Sequence, residues 1–173
     1  MHTIDTNAIR GKLFKQLPPG QPYQSAESEQ AHLFEQYKLY VEMADRVSAR
    51  RSLANTFFLT AHTAVVTTFA ALMKDGVLTH GLVGTAPFLT AILFCYAWAR
   101  IVSSYRQLNS GKFKVIHELE KKLPVAPYAA EWQALAKGQD SKVYRPLTHV
   151  ENLVPACFAL LYGFLAAALW CRP

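Results

Sequence analysis

Short motifs of catalysis and cofactor binding are missing from this sequence. It contains no G-x-S-x-G, no G-x-x-x-x-G-K-[ST] and no G-x-G-x-x-G, and none of its six histidines has the H-E-x-x-H spacing. These motifs mark serine hydrolases, P-loop proteins, dinucleotide-binding proteins and zinc peptidases, respectively. We therefore expect a protein that is not an enzyme and that has no catalytic, cofactor-binding or metal-binding residues.

Cysteine is scarce as well. Cys95, Cys157 and Cys171 are odd in number, and their spacing matches neither a metal site nor a redox pair. A free cysteine commonly behaves as a small apolar side chain, so we expect these three to serve in packing.

Charge is missing from three long stretches, at residues 53–73, 82–99 and 152–171. The first is 21 residues long, and a helix of that length crosses a hydrocarbon layer of about 30 Å at about 1.5 Å per residue. We predict an all-α integral membrane protein with three transmembrane helices, at 53–73, 82–105 and 149–171.

The positive charges that are present lie on one side of the predicted membrane. Of the 18 Lys and Arg residues, seven precede residue 53, nine lie within residues 100–145, and only Lys74 and Arg172 lie elsewhere. Loops rich in Lys and Arg stay in the cytoplasm, so the N-terminus is predicted to be cytoplasmic and the C-terminus periplasmic. The net charge of +6 then favours anionic lipid head groups as a partner, and not nucleic acid.

The first part of the chain precedes these spans. Residues 1–27 contain Pro18, Pro19, Gly20 and Pro22 with few large apolar side chains, which predicts an irregular N-terminal arm. Residues 28–173 would form a single membrane domain. Because no Gly or Pro interrupts residues 28–73, a cytoplasmic helix at 28–52 is expected to continue into the first span.

A second cytoplasmic part joins spans two and three. Residues 106–148 are predicted to form a helical loop, with one short amphipathic helix around Phe113 to Leu123 that ends at Pro124. A second short helix would begin at Pro127 and stop at Gly138, because Pro is favoured at the first position of a helix.

An apolar stripe on the helix at 28–52 is predicted to need a partner. Its members recur every three or four residues, and the candidate oligomer contacts are Leu33, Tyr37, Tyr40, Ala44 and Val47. The stripe suits a neighbouring subunit and the chain's own cytoplasmic helices equally well.

The polar residues of the first span also follow a helical spacing. Four threonines are three or four residues apart, and Asn55 and His62 are seven apart on an adjoining stripe. Together they form a candidate pore or polar helix-contact face: Asn55, Thr56, Thr60, His62, Thr63 and Thr67. Phe58 and Phe69 are among the residues expected on an opposite, lipid-facing side.

His62 is the only ionisable residue in residues 53–73. An ionisable group near the bilayer middle is costly and points to function. We expect a neutral imidazole that is hydrogen-bonded between helices, with Asn55 or Thr63 as partner; the alternative is a proton-sensing or pore-lining role.

Two segments resemble the RipA-type family of small octameric bacterial membrane proteins: KFKVIHELEKKLPVAPYAAEWQAL at 112–135 and YRPLTHVENLVP at 144–155. The resemblance extends from about Tyr37 to the third span and leaves residues 1–27 uncovered. It implies an all-helical homo-octamer of the bacterial inner membrane with cytoplasmic helical parts. It supplies no catalytic residues.

Three functions are compatible with these patterns. The first is a non-enzymatic homo-oligomeric scaffold or sensor assembly, whose partners are further copies of itself, membrane lipids and a cytoplasmic protein. The alternative is an oligomeric ion channel or pore, lined by the Thr, Asn and His face of the first span. A lipid-active enzyme is a third and weaker reading.

Overall fold

The computed structural model describes residues 6–14, 25–77, 81–144 and 148–171, and every regular element among them is helical. The elements are α1 (Thr6–Leu13), α2 (Ala26–Lys74), α3 (Leu82–Glu120), α4 (Pro127–Ala134), a 3₁₀ turn (Ala136–Gly138) and α5 (Thr148–Trp170). Apolar windows in α2, α3 and α5 have mean hydropathies of 1.5, 1.5 and 2.0. The prediction of three helices long and apolar enough to cross a membrane is therefore confirmed.

Residues 1–27 were predicted to form an irregular arm, but part of this arm is helical. Helix α1 lies within it, and Leu13 and Phe14 at its end pack against a cluster of buried residues from α2 and α3. Such tertiary packing stabilises a helix too short to form alone. The Pro-rich part that led to the prediction, 15–24, lies outside the described residues.

Helix α2 starts at a reciprocal side-chain cap. The Ser25 hydroxyl oxygen accepts the backbone N–H of Ser28 at 3.2 Å, and the Ser28 hydroxyl oxygen accepts the backbone N–H of Ser25 at 3.4 Å. This is the geometry of a capping box, with Ser28 in the place usually taken by Glu or Gln. From this cap α2 runs for 49 residues without interruption.

Helix α3 is longer than was predicted. It runs for 39 residues to Glu120, so the segment around Phe113 to Leu123 is not a separate short helix. The weakest helix former between Tyr105 and Glu120 is Gly111, and one Gly costs about 1 kcal/mol, too little to end a long helix. The second predicted short helix does begin at Pro127, but its regular part ends at Ala134.

The chain divides into two compact units. The span unit contains Ser48–Gln107 and Pro146–Pro173, and the loop unit contains Met1–Val47 and Leu108–Arg145. The buried core of the span unit includes Phe88, Cys95 and Tyr162. The core of the loop unit includes Tyr37 and Ile116.

Candidate functional site

His62 is the centre of a buried cluster in the span unit. Its side chain is fully buried, and its Nδ1 atom lies 3.0 Å from the hydroxyl oxygen of Tyr162 on α5. The Tyr162 hydroxyl also donates to the main-chain carbonyl oxygen of His62 at 3.3 Å. The Cys95 Sγ atom on α3 lies 3.7 Å from Nε2 of the same ring. All three long helices of the unit therefore hold this histidine.

Aromatic rings enclose the imidazole. The ring centroids of Phe94, Trp98 and Phe158 lie 4.9, 5.5 and 5.2 Å from that of His62. The Trp98 ring is nearly parallel to the imidazole, at 18°. The imidazole and the neighbouring Cys95 thiol are therefore shielded from solvent within the single chain.

The hydrogen-bond partners predicted for His62 are wrong. Thr63 donates its hydroxyl hydrogen to the Leu59 carbonyl oxygen at 2.8 Å. Asn55 accepts a hydrogen bond from the indole nitrogen of Trp98, at 2.9 Å. The true partner, Tyr162, is 100 residues away in the sequence, and no local spacing reports such a contact.

The lipid-facing side predicted for the first span is also wrong in part. Phe58 is buried and stacks on Trp98 at 5.6 Å and 9°, and the Phe69 ring lies 4.6 Å from that of Phe88. Residues 55, 58, 62 and 69 are separated by three, four and seven positions, which places them on one face of α2. Phe58 and Phe69 therefore share the inward face of His62.

Asn55 joins the same inward face to a polar network. Its amide nitrogen donates to Oε1 of Glu151 on α5 at 3.4 Å. The same carboxylate oxygen lies 3.5 Å from Nε of Arg51. With the Trp98 indole on the Asn55 oxygen, this network connects α2, α3 and α5. It gives partners to the Asn55 amide and to Oε1 of Glu151, whereas Oε2 of Glu151 is buried without a hydrogen-bond partner.

The four threonines of the predicted polar face lie on the outside of the span unit. Thr56, Thr63 and Thr67 each donate to the carbonyl oxygen four residues earlier, at 3.2, 2.8 and 2.9 Å. A shallow groove along α2 is lined by Thr60, Thr63 and Thr67, together with Leu59, Ala64 and Thr68. The six predicted residues thus separate into an inward pair, Asn55 and His62, and an outward threonine face, whose role in subunit contact or pore lining stays a prediction.

The apolar stripe predicted to contact a neighbouring subunit is covered within its own chain. Tyr37 and Ala44 are buried against Ile116 and Leu119 of α3. The other members are partly or fully buried: Leu33, Tyr40 and Val47. Of the two alternatives for this stripe, the structure therefore shows packing on the chain's own helix.

Glu120, which the sequence analysis did not single out, organises the loop unit. The residue is only 2% exposed, and its carboxylate accepts the backbone N–H groups of Tyr128 at 2.8 Å and Ala129 at 3.0 Å. These amides belong to the first turn of α4, whose N-cap residue, Ala126, makes no side-chain cap. Glu120, at the end of α3, thus caps the N-terminus of α4. A negative charge at that N-terminus also interacts favourably with the dipole of α4.

Two more side chains complete the Glu120 site. The Tyr37 hydroxyl donates to Oε1 at 3.2 Å, and the Nδ1 atom of His117 lies 3.4 Å from Oε2. Burial, with the Glu120 charge beside it, raises the pKa of Tyr37 to about 12. The phenol therefore keeps its proton and remains a donor at neutral pH.

Metal binding has no support in the part of the chain that the structure describes. No group of three or more His, Cys, Asp or Glu side chains there is arranged to hold a metal ion.

Comparison with known proteins agrees with this architecture. The sequence model of the octameric membrane protein family (8xMP) matches residues 34–171, which include all three long apolar helices from the first third of α2 onward. No curated protein and no solved structure matches the chain. The match covers most of the chain, so the protein belongs to the octameric membrane protein family (8xMP).

Proposed function

We propose that the protein is a non-enzymatic homo-octameric scaffold or sensor assembly of the bacterial inner membrane. The observation that carries this proposal is the inward position of His62. Its ring is bound by Tyr162 and enclosed by aromatic side chains within one chain, so the ionisable residue of the first span holds helices of one subunit together. An assembly built from such units needs no titratable residue in a lumen.

The threonine face of α2 is the proposed contact between spans of neighbouring subunits. Thr60, Thr63 and Thr67 are exposed in the single chain, and small side chains allow membrane helices to approach closely. Since the hydroxyls of Thr63 and Thr67 already bond their own backbone, they can face an apolar neighbour without an unpaired donor.

The loop unit is the proposed cytoplasmic surface of the assembly. Phe34, Leu39 and Met43 of α2 are large apolar residues that remain 42 to 59% exposed. They are available to a second subunit or to a cytoplasmic protein, whereas the predicted stripe around Tyr37 is already covered.

Replacement of Thr63 by Cys is expected to produce disulfide-linked dimers in native membranes, because we propose that this threonine face meets the same face of a second copy. The background variant carries Ala at Cys157 and Cys171, which are exposed, and keeps the buried Cys95. Leu93→Cys on α3, 68% exposed, is the matched control and should stay monomeric on a denaturing gel. Equal cross-linking of both variants, or none at Thr63, would contradict the proposed contact.

The channel remains a second candidate, favoured by the exposed hydroxyl-bearing groove on α2. The same Thr63→Cys variant distinguishes it. A lumen filled with water would expose this cysteine to a charged, water-soluble thiol reagent, whereas a helix contact would protect it. Rapid modification without cross-linking would therefore favour the channel.

We also propose the threading inferred from the charges, with the N-terminus inside and the C-terminus outside. In the same cysteine background, Val77→Cys, at an exposed position after α2, should react with a membrane-impermeant maleimide in intact spheroplasts. Lys142→Cys, exposed in the loop unit, should react only after the membrane is permeabilised. The reverse pattern would invert the topology.

A further inference from the structure

A half-open pocket of about 510 Å³ lies in the loop unit between α3 and α4. One helical face lines each side, with residues three or four positions apart: Phe113, Lys114 and His117 on α3, and Tyr128, Glu131 and Trp132 on α4. Small-molecule sites commonly have volumes of about 300 to 1,000 Å³ and mostly apolar walls with a few polar groups. The pocket has that size and composition.

Aromatic rings form its walls and are held in place. Phe113 and Tyr128 meet edge to face with centroids 5.5 Å apart. Trp132 lies so close to Gly138 that a Cβ atom added to this glycine would be 3.2 Å from the indole ring. The indole is therefore fixed on one side by backbone, while 44% of the residue remains exposed.

The turn that carries this contact has an unusual backbone. Ala136, Lys137 and Gly138 have φ angles of 50°, 54° and 69°. The first two are L residues with a side chain, for which this region is strained. Strained backbone of this kind is often found where a structure holds a binding wall in position.

The charges at the pocket have opposite signs on opposite sides. Lys114 lies on α3 and Glu131 on α4, and both are exposed at the pocket. A ligand with a single charge would be attracted to one wall and repelled by the other. A ligand that carries both charges on a short chain attached to a flat ring could pair with Lys114 and Glu131 and pack its ring against the aromatic side chains.

We propose that this pocket binds a small aromatic zwitterion, that is, an amino acid with an aromatic side chain. The ring packs among Phe113, Tyr128 and Trp132, the ligand carboxylate pairs with Lys114, and the ligand ammonium group pairs with Glu131. The pocket is built within one chain, so this inference goes beyond the proposed assembly and does not rest on the number of subunits.

The test is isothermal titration of the intact detergent-solubilised assembly with four compounds that share one ring. L-Tryptophan carries both charges, tryptamine only the ammonium group, indole-3-propionate only the carboxylate, and indole neither. Tryptophan is expected to bind at least about tenfold more tightly than either singly charged compound, since a charge-assisted contact contributes that much. Absence of binding by all four compounds, or equal binding of indole and tryptophan, would overturn the proposal.

Matched variants assign each charge. Lys114→Gln should remove the advantage of tryptophan over tryptamine and leave its advantage over indole-3-propionate. Glu131→Gln should do the reverse, and Trp132→Ala should weaken all four compounds. Lys142→Gln, an exposed charge outside the pocket, is the control and should bind as the wild type does; equal losses in all variants would contradict the assignment.

Discussion

Replacement of Glu120 by Ala is expected to lower the free energy of unfolding of the loop unit by about 3 kcal/mol, because it leaves the buried Tyr37 hydroxyl and two amides of α4 without their acceptor. The carboxylate accepts two amides of the first turn of α4 and the hydroxyl of Tyr37. Loss of a helix cap alone typically costs about 1 kcal/mol. The remainder comes from the stranded Tyr37 hydroxyl and the cavity beside it.

Hydrogen exchange is the measurement for this variant, because it resolves the loop unit from the rest of the chain. The amides of Tyr128 and Ala129 should exchange faster in Glu120→Ala, and the temperature of unfolding in detergent should fall. Glu131→Ala on the same helix is the control, since Glu131 is exposed and makes no contact to those amides. Equal exchange in both variants would mean that α4 does not depend on Glu120.

Truncation of Trp98 to Ala is expected to be the most damaging single change in the span unit, at about 3 to 5 kcal/mol by analogy with other large aromatic truncations. The residue is 2% exposed, stacks on both Phe58 and His62, and donates to Asn55 at 2.9 Å. Its removal would open a cavity and leave the Asn55 oxygen without this donor.

Two further variants separate these contributions. Trp98→Phe keeps much of the stacking but not the hydrogen bond, so thermal unfolding should place it between the wild type and Trp98→Ala. Trp170→Ala removes the same ring at a position that is 62% exposed, and it should have little effect. A similar loss from Trp98→Ala and Trp170→Ala would show that the buried cluster does not stabilise the unit.

Local patterns in the sequence were sufficient for the helices but not for their faces. The uncharged stretches located the three apolar helices, and the phrases at 112–135 and 144–155 indicated the family. The inward face of α2 was misassigned, because Phe58 and Phe69 were predicted to lie on the side opposite His62. Their spacings of four and seven residues from His62 place all three on one face of the helix. The four threonines do share one exposed face, but it points in a different direction around α2 from the face that carries His62.

The contacts of the two polar clusters required tertiary structure. Tyr162 reaches His62 across 100 residues, and Tyr37 reaches Glu120 across 83. The sequence does contain a weak indication of the cap of α4. The residue before Pro127 is an Ala, whose side chain cannot accept a hydrogen bond, so the acceptor had to come from elsewhere in the chain. The end of α3 was misplaced because amphipathic periodicity after Tyr105 suggested a new helix, although no residue there could break the old one.

The central claim has two parts. The helices of neighbouring copies of this chain hold the assembly together, and the ionisable residue His62 lies inside each subunit and not in a conducting lumen. The most direct test measures ion flux from liposomes that contain the purified assembly, with its mass checked as eight copies of the 19.4 kDa chain. At pH 7 and pH 5.5 we expect flux equal to that of empty liposomes. Flux above this level that falls in Thr63→Leu, or that changes with pH in the wild type but not in His62→Gln, would contradict the account.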